Sequence, residues 1–297
     1  MTSHVQSTVT ALSAGIPALS HPVRTEQPRC ETSRIRRLPR PARRRAPRSG
    51  RTAVPAVTAS SPATAGPRQY HGRMRIVIAG GHGKIALVLE RLLAGRGDQA
   101  VGLVRNPAHV SAVEQAGAEA VVCDLETASA GAVAKLLAGA DGVVFAAGAG
   151  PASGAARKDT VDRGASVLLA QAAGQAGVRR FVQVSSMGAG QPPRPGSDDV
   201  WAAYVAAKTA AEDDLQTRDL DWTILRPGGL TDSPATGRVR LAVPPVPAGR
   251  VSRADVAAVI VALLDAPGTS SQTLELVGGD TPVAAAVNAL AWPSDDA

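Results

Sequence analysis

Aromatic side chains are scarce: three tryptophans, two tyrosines and two phenylalanines in 297 residues. A core must then be built from aliphatic side chains, and each tyrosine becomes conspicuous. Cysteine is scarcer still, with only Cys30 and Cys123. Two such distant cysteines argue against a disulfide framework and against a zinc site, and no metal is expected. Cys123, inside the apolar run Ala120–Asp124, reads as a core thiol. No apolar run reaches the ~20 residues of a membrane-spanning helix. No apolar core follows the first basic residues, as a secretory signal requires.

Acids are nearly missing from residues 1–73, where Glu26 and Glu31 face thirteen arginines and no lysine. Residues 74–297 hold nineteen Lys and Arg against twenty-three Asp and Glu. The net charge of +7 therefore belongs to the extension, and a basic nucleic-acid-binding fold is not implied. Residues 1–73, rich in Arg, Pro, Ser, Thr and Ala, lack hydrophobic periodicity and read as disordered. Met74 directly precedes Arg75-Ile-Val-Ile-Ala-Gly80, so the favoured expectation is a native start at Met74. An Arg- and Ser-rich organelle transit peptide ranks next, and a basic arm for nucleic acid or anionic lipid, centred on Arg34–Arg45, ranks last.

What the chain does have is a distinctive beginning to its 74–297 domain. The β-branched run Ile76-Val-Ile ends in Gly80-Gly-His-Gly83, and a helical pattern of leucines follows at once. A sharp turn needs Gly80, and Gly83 keeps a helix N-terminus open to a pyrophosphate. Ala86 takes the third glycine position, where a small residue lets helix and strand pack. This strand–turn–helix setting is what the dinucleotide fingerprint requires. A P-loop is disfavoured because positions 78 and 85 are both isoleucine. His82 receives no catalytic role.

The alternation continues. Strands are expected at 100–104, 120–123, 142–146, 180–184, 222–225 and 273–277. Helices are expected at 107–115, 128–137, 161–176, 200–217 and 253–264, the last with Ser252 as N-cap. Continuous apolar strands alternating with helices indicate an α/β fold with a doubly wound parallel sheet. Gly188–Asp199 and the Pro-containing Thr231–Val251 read as loops at strand C-terminal ends, where such sheets bind ligands.

An NAD site places an acid at the end of the second strand, roughly 20 residues past the glycines. Here that place holds Arg105, whose guanidinium suits a 2′-phosphate, so NADP is expected over NAD. Lys84 and Ile85 open the helix beside the phosphates. Asp124 is placed to accept from the adenine amino group while Leu125 covers the ring. Ala146, Ala147 and Gly148 are small enough for the coenzyme to approach the fourth strand. Tyr204 and Lys208 are four apart on one helix and so share a face. A phenol ordinarily titrates near pH ~10, and a neighbouring ammonium favours its ionised form. Ser185 and Ser186, just after the fifth strand, are placed to hydrogen-bond a substrate oxygen.

These residues resemble the short-chain dehydrogenase/reductase superfamily over residues 74 to about 285. The closest likeness is to its atypical, NAD(P)-binding branch, often labelled NAD-dependent epimerase/dehydratase. The likeness rests on Gly80-x-x-Gly83-x-x-Ala86, Arg105, Asp124-Leu125, Val184-Ser-Ser186, Tyr204-x-x-x-Lys208, Leu220–Leu230 and Ser252-Arg-Ala-Asp-Val256. The resemblance implies a Rossmann fold with a small C-terminal substrate region and NADP binding. It also implies that Arg226 and Pro227 lie where the chain passes the nicotinamide. The function expected is an NADP-dependent oxidoreductase acting on a small carbonyl or alcohol, or the related epimerase/dehydratase chemistry. The alternative is an NAD(P)H-binding sensor without turnover, as the branch contains. The expected partner is a small-molecule substrate, with neither nucleic acid nor membrane for the folded domain. The expected state is a monomer or homodimer, located in the cytoplasm unless residues 1–73 direct it to an organelle.

Overall fold

The computed structural model describes residues 73–150, 153–192, 196 and 198–291. The extension expected at 1–73 lies, but for Arg73, outside the described residues. Strand β1 (Arg75–Ala79) shows why a parallel sheet forms. Its side chains alternate between two apolar layers: Ile76 and Ile78 join one core cluster, Val77 and Ala79 the other. A strand buried on both faces needs helices on both sides. Helix α1 (Lys84–Gly95) supplies Leu89 and Leu93 to the first layer, where they meet α7 (Arg253–Leu264). The second layer is filled by α3 (Ala130–Leu137), α5 (Ser166–Ala176) and α6 (Asp199–Gln216).

Between these run β2 (Gln99–Val104), α2 (Val110–Gln115), β3 (Glu119–Val122) and β4 (Gly142–Phe145). They are followed by β5 (Arg180–Val184) and β6 (Asp221–Pro227). The order β3-β2-β1-β4-β5-β6 is parallel throughout and continues into β10 (Gln272–Gly278). The strand order reverses at β1, with β2 on one side and β4 on the other. That switch point opens a crevice at the strand C-terminal ends. No helix among the described residues is long and apolar enough to cross a membrane.

The expected helix starts and stops hold closely. Ser252 caps α7 by accepting from Asp255 N–H at 2.9 Å, and Asp198 caps α6 from Trp201 N–H at 2.6 Å. Three readings need correction. The segment expected as a loop at 231–251 contains β8 (Arg238–Ala242), antiparallel to β10, and β9 (Arg250–Ser252), which pairs with β7 (Gly229–Thr231). Only Val239 and Leu241 of β8 face the core, a period-two signal too short to stand out among prolines. Strand β11 (Thr281–Pro282) and helix α8 (Val283–Ala291) extend the C-terminal region beyond the last element expected. The helix expected at 161–176 also begins earlier. Helix α4 (Ala155–Arg157) leads into a wide-turn π segment, Lys158–Ala165, and then α5.

Candidate active site

Two cavities adjoin along the strand C-terminal edge. The first, of about 350 Å³, lies over the ends of β1 to β4. The second, of about 1020 Å³, lies over the ends of β4, β5 and β6. Ala146, Ala147 and Gly148 line both and form the wall between them.

The glycine turn is built to be bare. Gly80 has φ +81°, and a Cβ there would lie 2.7 Å from the Ala147 Cα. A Cβ on Gly81 would lie equally close to the Gly102 Cα, at 2.7 Å. Gly83 caps α1 with no side-chain cap and no acid in the first turn. The first amides of α1 are thus left to an anion, helped by the helix dipole. This cradle fits the pyrophosphate of a dinucleotide. Directly beneath it Glu90 is fully buried, and neither carboxylate oxygen has a hydrogen-bond partner. Burial pushes its carboxyl up to about 8, against a weaker opposing pull from Arg91.

Gly80, Gly83, Arg105, Asp124 and Leu125 all line the first cavity, and Ile85 lines the second. Asp124 accepts from the Glu126 N–H at 3.0 Å, which closes the turn after β3. Arg105 does not stand alone. Its Nη1 lies 2.7 Å from Glu126 Oε2, and Arg157 Nη2 reaches the same oxygen at 2.8 Å. The Thr160 hydroxyl donates to the other oxygen at 2.6 Å. That bond above all, then Arg157 and Arg105, holds the Glu126 carboxyl below its usual range in spite of partial burial. Glu126 and Arg157 also line the cavity. A search for an acid only at the end of β2 misses Glu126, which arrives from the neighbouring β3, where Val122 pairs with Val104. His82 and His109 stack here with ring centroids 3.7 Å apart. Burial first, and then His109, lowers the pKa of His82.

Two expected residues go elsewhere. Lys84 lines neither cavity; its Nζ bonds Asp232 at 2.7 Å on the exposed side of α1. Arg226 lines neither cavity either. Strand alternation turns it toward α6, where its Nε lies 3.0 Å from the buried Glu212. It fastens α6 to β6 rather than meeting a nicotinamide. Its neighbour Pro227 does line the second cavity.

Tyr204, Lys208, Ser185 and Ser186 all line the second cavity. Lys208 is buried, donates to the Val184 carbonyl at 3.2 Å and pairs with Asp162 at 3.2 Å. Its ammonium lies 5.8 Å from the Tyr204 ring centroid. The Ser185 hydroxyl is buried without a partner, whereas the Ser186 hydroxyl donates to the Met187 carbonyl at 3.3 Å. Ser185 is therefore the serine left available to a substrate oxygen. Sequence reasoning missed Lys158 and Asp162, both buried on the π segment. The Lys158 ammonium lies 5.1 Å from the Tyr204 ring centroid, on the cavity wall. Their i, i+4 spacing is an ordinary surface pattern, and nothing in it says that this face turns inward.

Comparison with known proteins agrees with this geometry. Residues 80–267 match the family described as NAD(P)H-binding. The chain is 34% identical over 218 residues to the Bacillus subtilis protein named "Uncharacterized sugar epimerase YhfK", covering 73% of this chain and all of that one. A solved structure from Bacillus halodurans, described as a "Putative NAD-dependent epimerase/dehydratase", is 35% identical with TM-score 0.66, over 73% of this chain and 99% of that one. ChuY from Escherichia coli O157:H7, described as an anaerobillin reductase, is 29% identical with TM-score 0.58, over 69% of this chain and 98% of that one. The family match spans both the glycine turn and the Tyr204–Lys208 helix, and the chain belongs to the NAD(P)H-binding, atypical branch of the short-chain dehydrogenase/reductase-like proteins.

Proposed function

We propose that the protein is an NADP-dependent oxidoreductase that interconverts a carbonyl and an alcohol. One observation carries this reading. Tyr204, Lys208 and the partner-free Ser185 converge on a cavity that shares a wall with the glycine-turn crevice. A coenzyme laid along both cavities would have its phosphates at Gly80 and Gly83, its adenine by Asp124 and Leu125, and its nicotinamide ribose by Lys208. When bound, it supplies or accepts the hydride; the chain's own residues handle the proton.

In the reducing direction Ser185 donates a hydrogen bond to the carbonyl oxygen and Tyr204 gives that oxygen a proton as its carbon gains hydride. The Lys208 ammonium offsets the negative charge left on the phenolic oxygen. Asp162, held by the Ala149 N–H at 3.2 Å, fixes Lys208 in place. Arg105 and Arg157, already gathered around Glu126, support NADP because a 2′-phosphate offers each guanidinium a better partner. The naming of ChuY as a reductase supports a reductive reaction.

The test is a titration with NADPH and NADH, followed by a carbonyl panel read at the nicotinamide absorbance. Tyr204→Phe is expected to lower turnover at least a hundredfold, on the order of a lost general acid, while NADPH affinity stays within twofold. Turnover by Tyr204→Phe equal to that of the unaltered protein refutes the assignment, as does failure of either coenzyme to bind.

A further inference from the structure

Lys158 is the charge in the second cavity that hydride transfer leaves unspent. It is only 5% exposed. Its ammonium donates to the Gly150 carbonyl at 2.7 Å, and no carboxylate among the described residues pairs with it. An ammonium has three donors, so two remain. A buried cation is costly without a counter-charge. The other charges on the wall are committed. Lys208 and Asp162 neutralise each other, Asp198 caps α6, and Arg253 bonds Asp232. Among the side chains that line the cavity, Lys158, Lys208 and Arg253 face only Asp162 and Asp198, so the wall carries one positive charge in surplus. The adjacent Arg157 lines the other cavity and bonds Glu126, so the two consecutive cations serve different halves of the crevice.

The remaining wall is apolar. Trp201 and Val200 stand 42% and 39% exposed, unusually open for large apolar side chains in this chain, and Met187 and Leu230 continue the surface. Exposed apolar groups concentrated at a cavity mouth mark a binding surface.

We propose that the substrate is a carbonyl compound carrying a carboxylate on an apolar, aromatic-sized body, with Lys158 receiving the carboxylate and Trp201 covering the body. This rests on the oxidoreductase reading, since the carbonyl must meet Tyr204 and Ser185. Lys158 lies beside the Tyr204 ring, so the carboxylate sits close to the reacting carbonyl. A 2-oxo acid with an aromatic substituent has that shape.

The test uses the NADP-loaded protein, in which no turnover occurs, and two probes: benzoylformate and its uncharged methyl ester. Calorimetry is expected to show benzoylformate binding at least tenfold more tightly than the ester. Lys158→Met is expected to erase that preference and Lys158→Arg to keep most of it. Lys158→Gln repeats the measurement if Lys158→Met does not fold, which NADP titration of each variant reports. Equal binding of acid and ester, no binding of the acid, or a preference that survives Lys158→Met overturns the proposal. Failure of the unaltered protein to bind NADP overturns the oxidoreductase reading instead.

Discussion

Replacing Glu90 with glutamine should make this protein more stable at and above neutral pH. The Glu90 carboxyl is fully buried beneath the glycine turn, with both oxygens lacking partners. Its Oε1 lies close enough that a Cβ on Gly102 would approach to 2.6 Å. Burial raises its pKa from 4.5 to about 8 in the folded state. A raised carboxyl pKa means that the fold favours the protonated acid. The contribution is therefore complete below pH 4.5 and is lost as pH rises toward 8. Each pKa unit corresponds to about 1.4 kcal/mol, so the loss between pH 5 and 8 amounts to about 3 kcal/mol. That is a sizeable part of the ~5–15 kcal/mol that holds a typical domain together. Glutamine has nearly the same shape and no proton to lose. Urea unfolding followed by circular dichroism at pH 5, 6, 7 and 8 reads the difference directly. The unaltered protein should lose about 3 kcal/mol relative to Glu90→Gln across that range. NADPH affinity should fall in parallel, because an ionised carboxylate draws water under the turn that holds the phosphates. Superimposable pH profiles for the two proteins would refute the reasoning.

Two further outcomes follow from the ion pairs. Arg105→Ala and Arg157→Ala should each weaken NADPH binding about tenfold, the size of one charge-assisted contact of ~1.4 kcal/mol, and leave NADH nearly unchanged. Glu126→Gln should strengthen NADPH binding, and fluorescence titration of both coenzymes checks all three. Asp255 accepts from the Thr236 and Gly237 amides at 3.0 and 2.8 Å and from the Ser252 hydroxyl at 2.8 Å. Burial works against its ionisation, but these bonds prevail and hold its carboxyl below the usual range. Its contribution is present above the ordinary carboxylate pKa of ~3.9 and is lost as pH falls through the lowered value. Asp255→Ala should destabilise the fold by about 2–4 kcal/mol at pH 7, measured by thermal or urea unfolding, with a smaller difference near pH 3.

The parts of this fold that sequence discloses are those where local chemistry and global position agree. The Ile76–Ala79 run, Gly80, Gly83 and the leucines of α1 each ask for the conformation they adopt. Tyr204 and Lys208 are legible because helical spacing alone puts them on one face. Arg105 is legible as a strand-end cation, but its companions Glu126 and Arg157 come from other elements, and only sheet order brings them together. Arg226 sits in a recognisable stretch, yet strand alternation sends its side chain to Glu212 rather than to the cavity. Lys84 follows a glycine as a phosphate-binding lysine does, but Asp232 captures it outside the crevice. Lys158 and Asp162 escape notice because charged residues at i, i+4 ordinarily mark a solvated face, whereas here that face of the π segment packs inward against α6. Strand β8 escapes because it shows the core only two apolar side chains.

The same π segment makes this stretch of chain a ruler. A regular helix advances about 100° per residue, and a wide turn absorbs an extra residue in its place. Deleting a single residue between 158 and 165 would restore the ordinary pitch and spin everything on its N-terminal side by roughly a quarter-turn or more. Arg157 would leave Glu126, and Lys158 would swing away from the Tyr204 ring. Changes of length should therefore be tolerated in the connections around it, while this turn should accept exchanged letters but no missing ones.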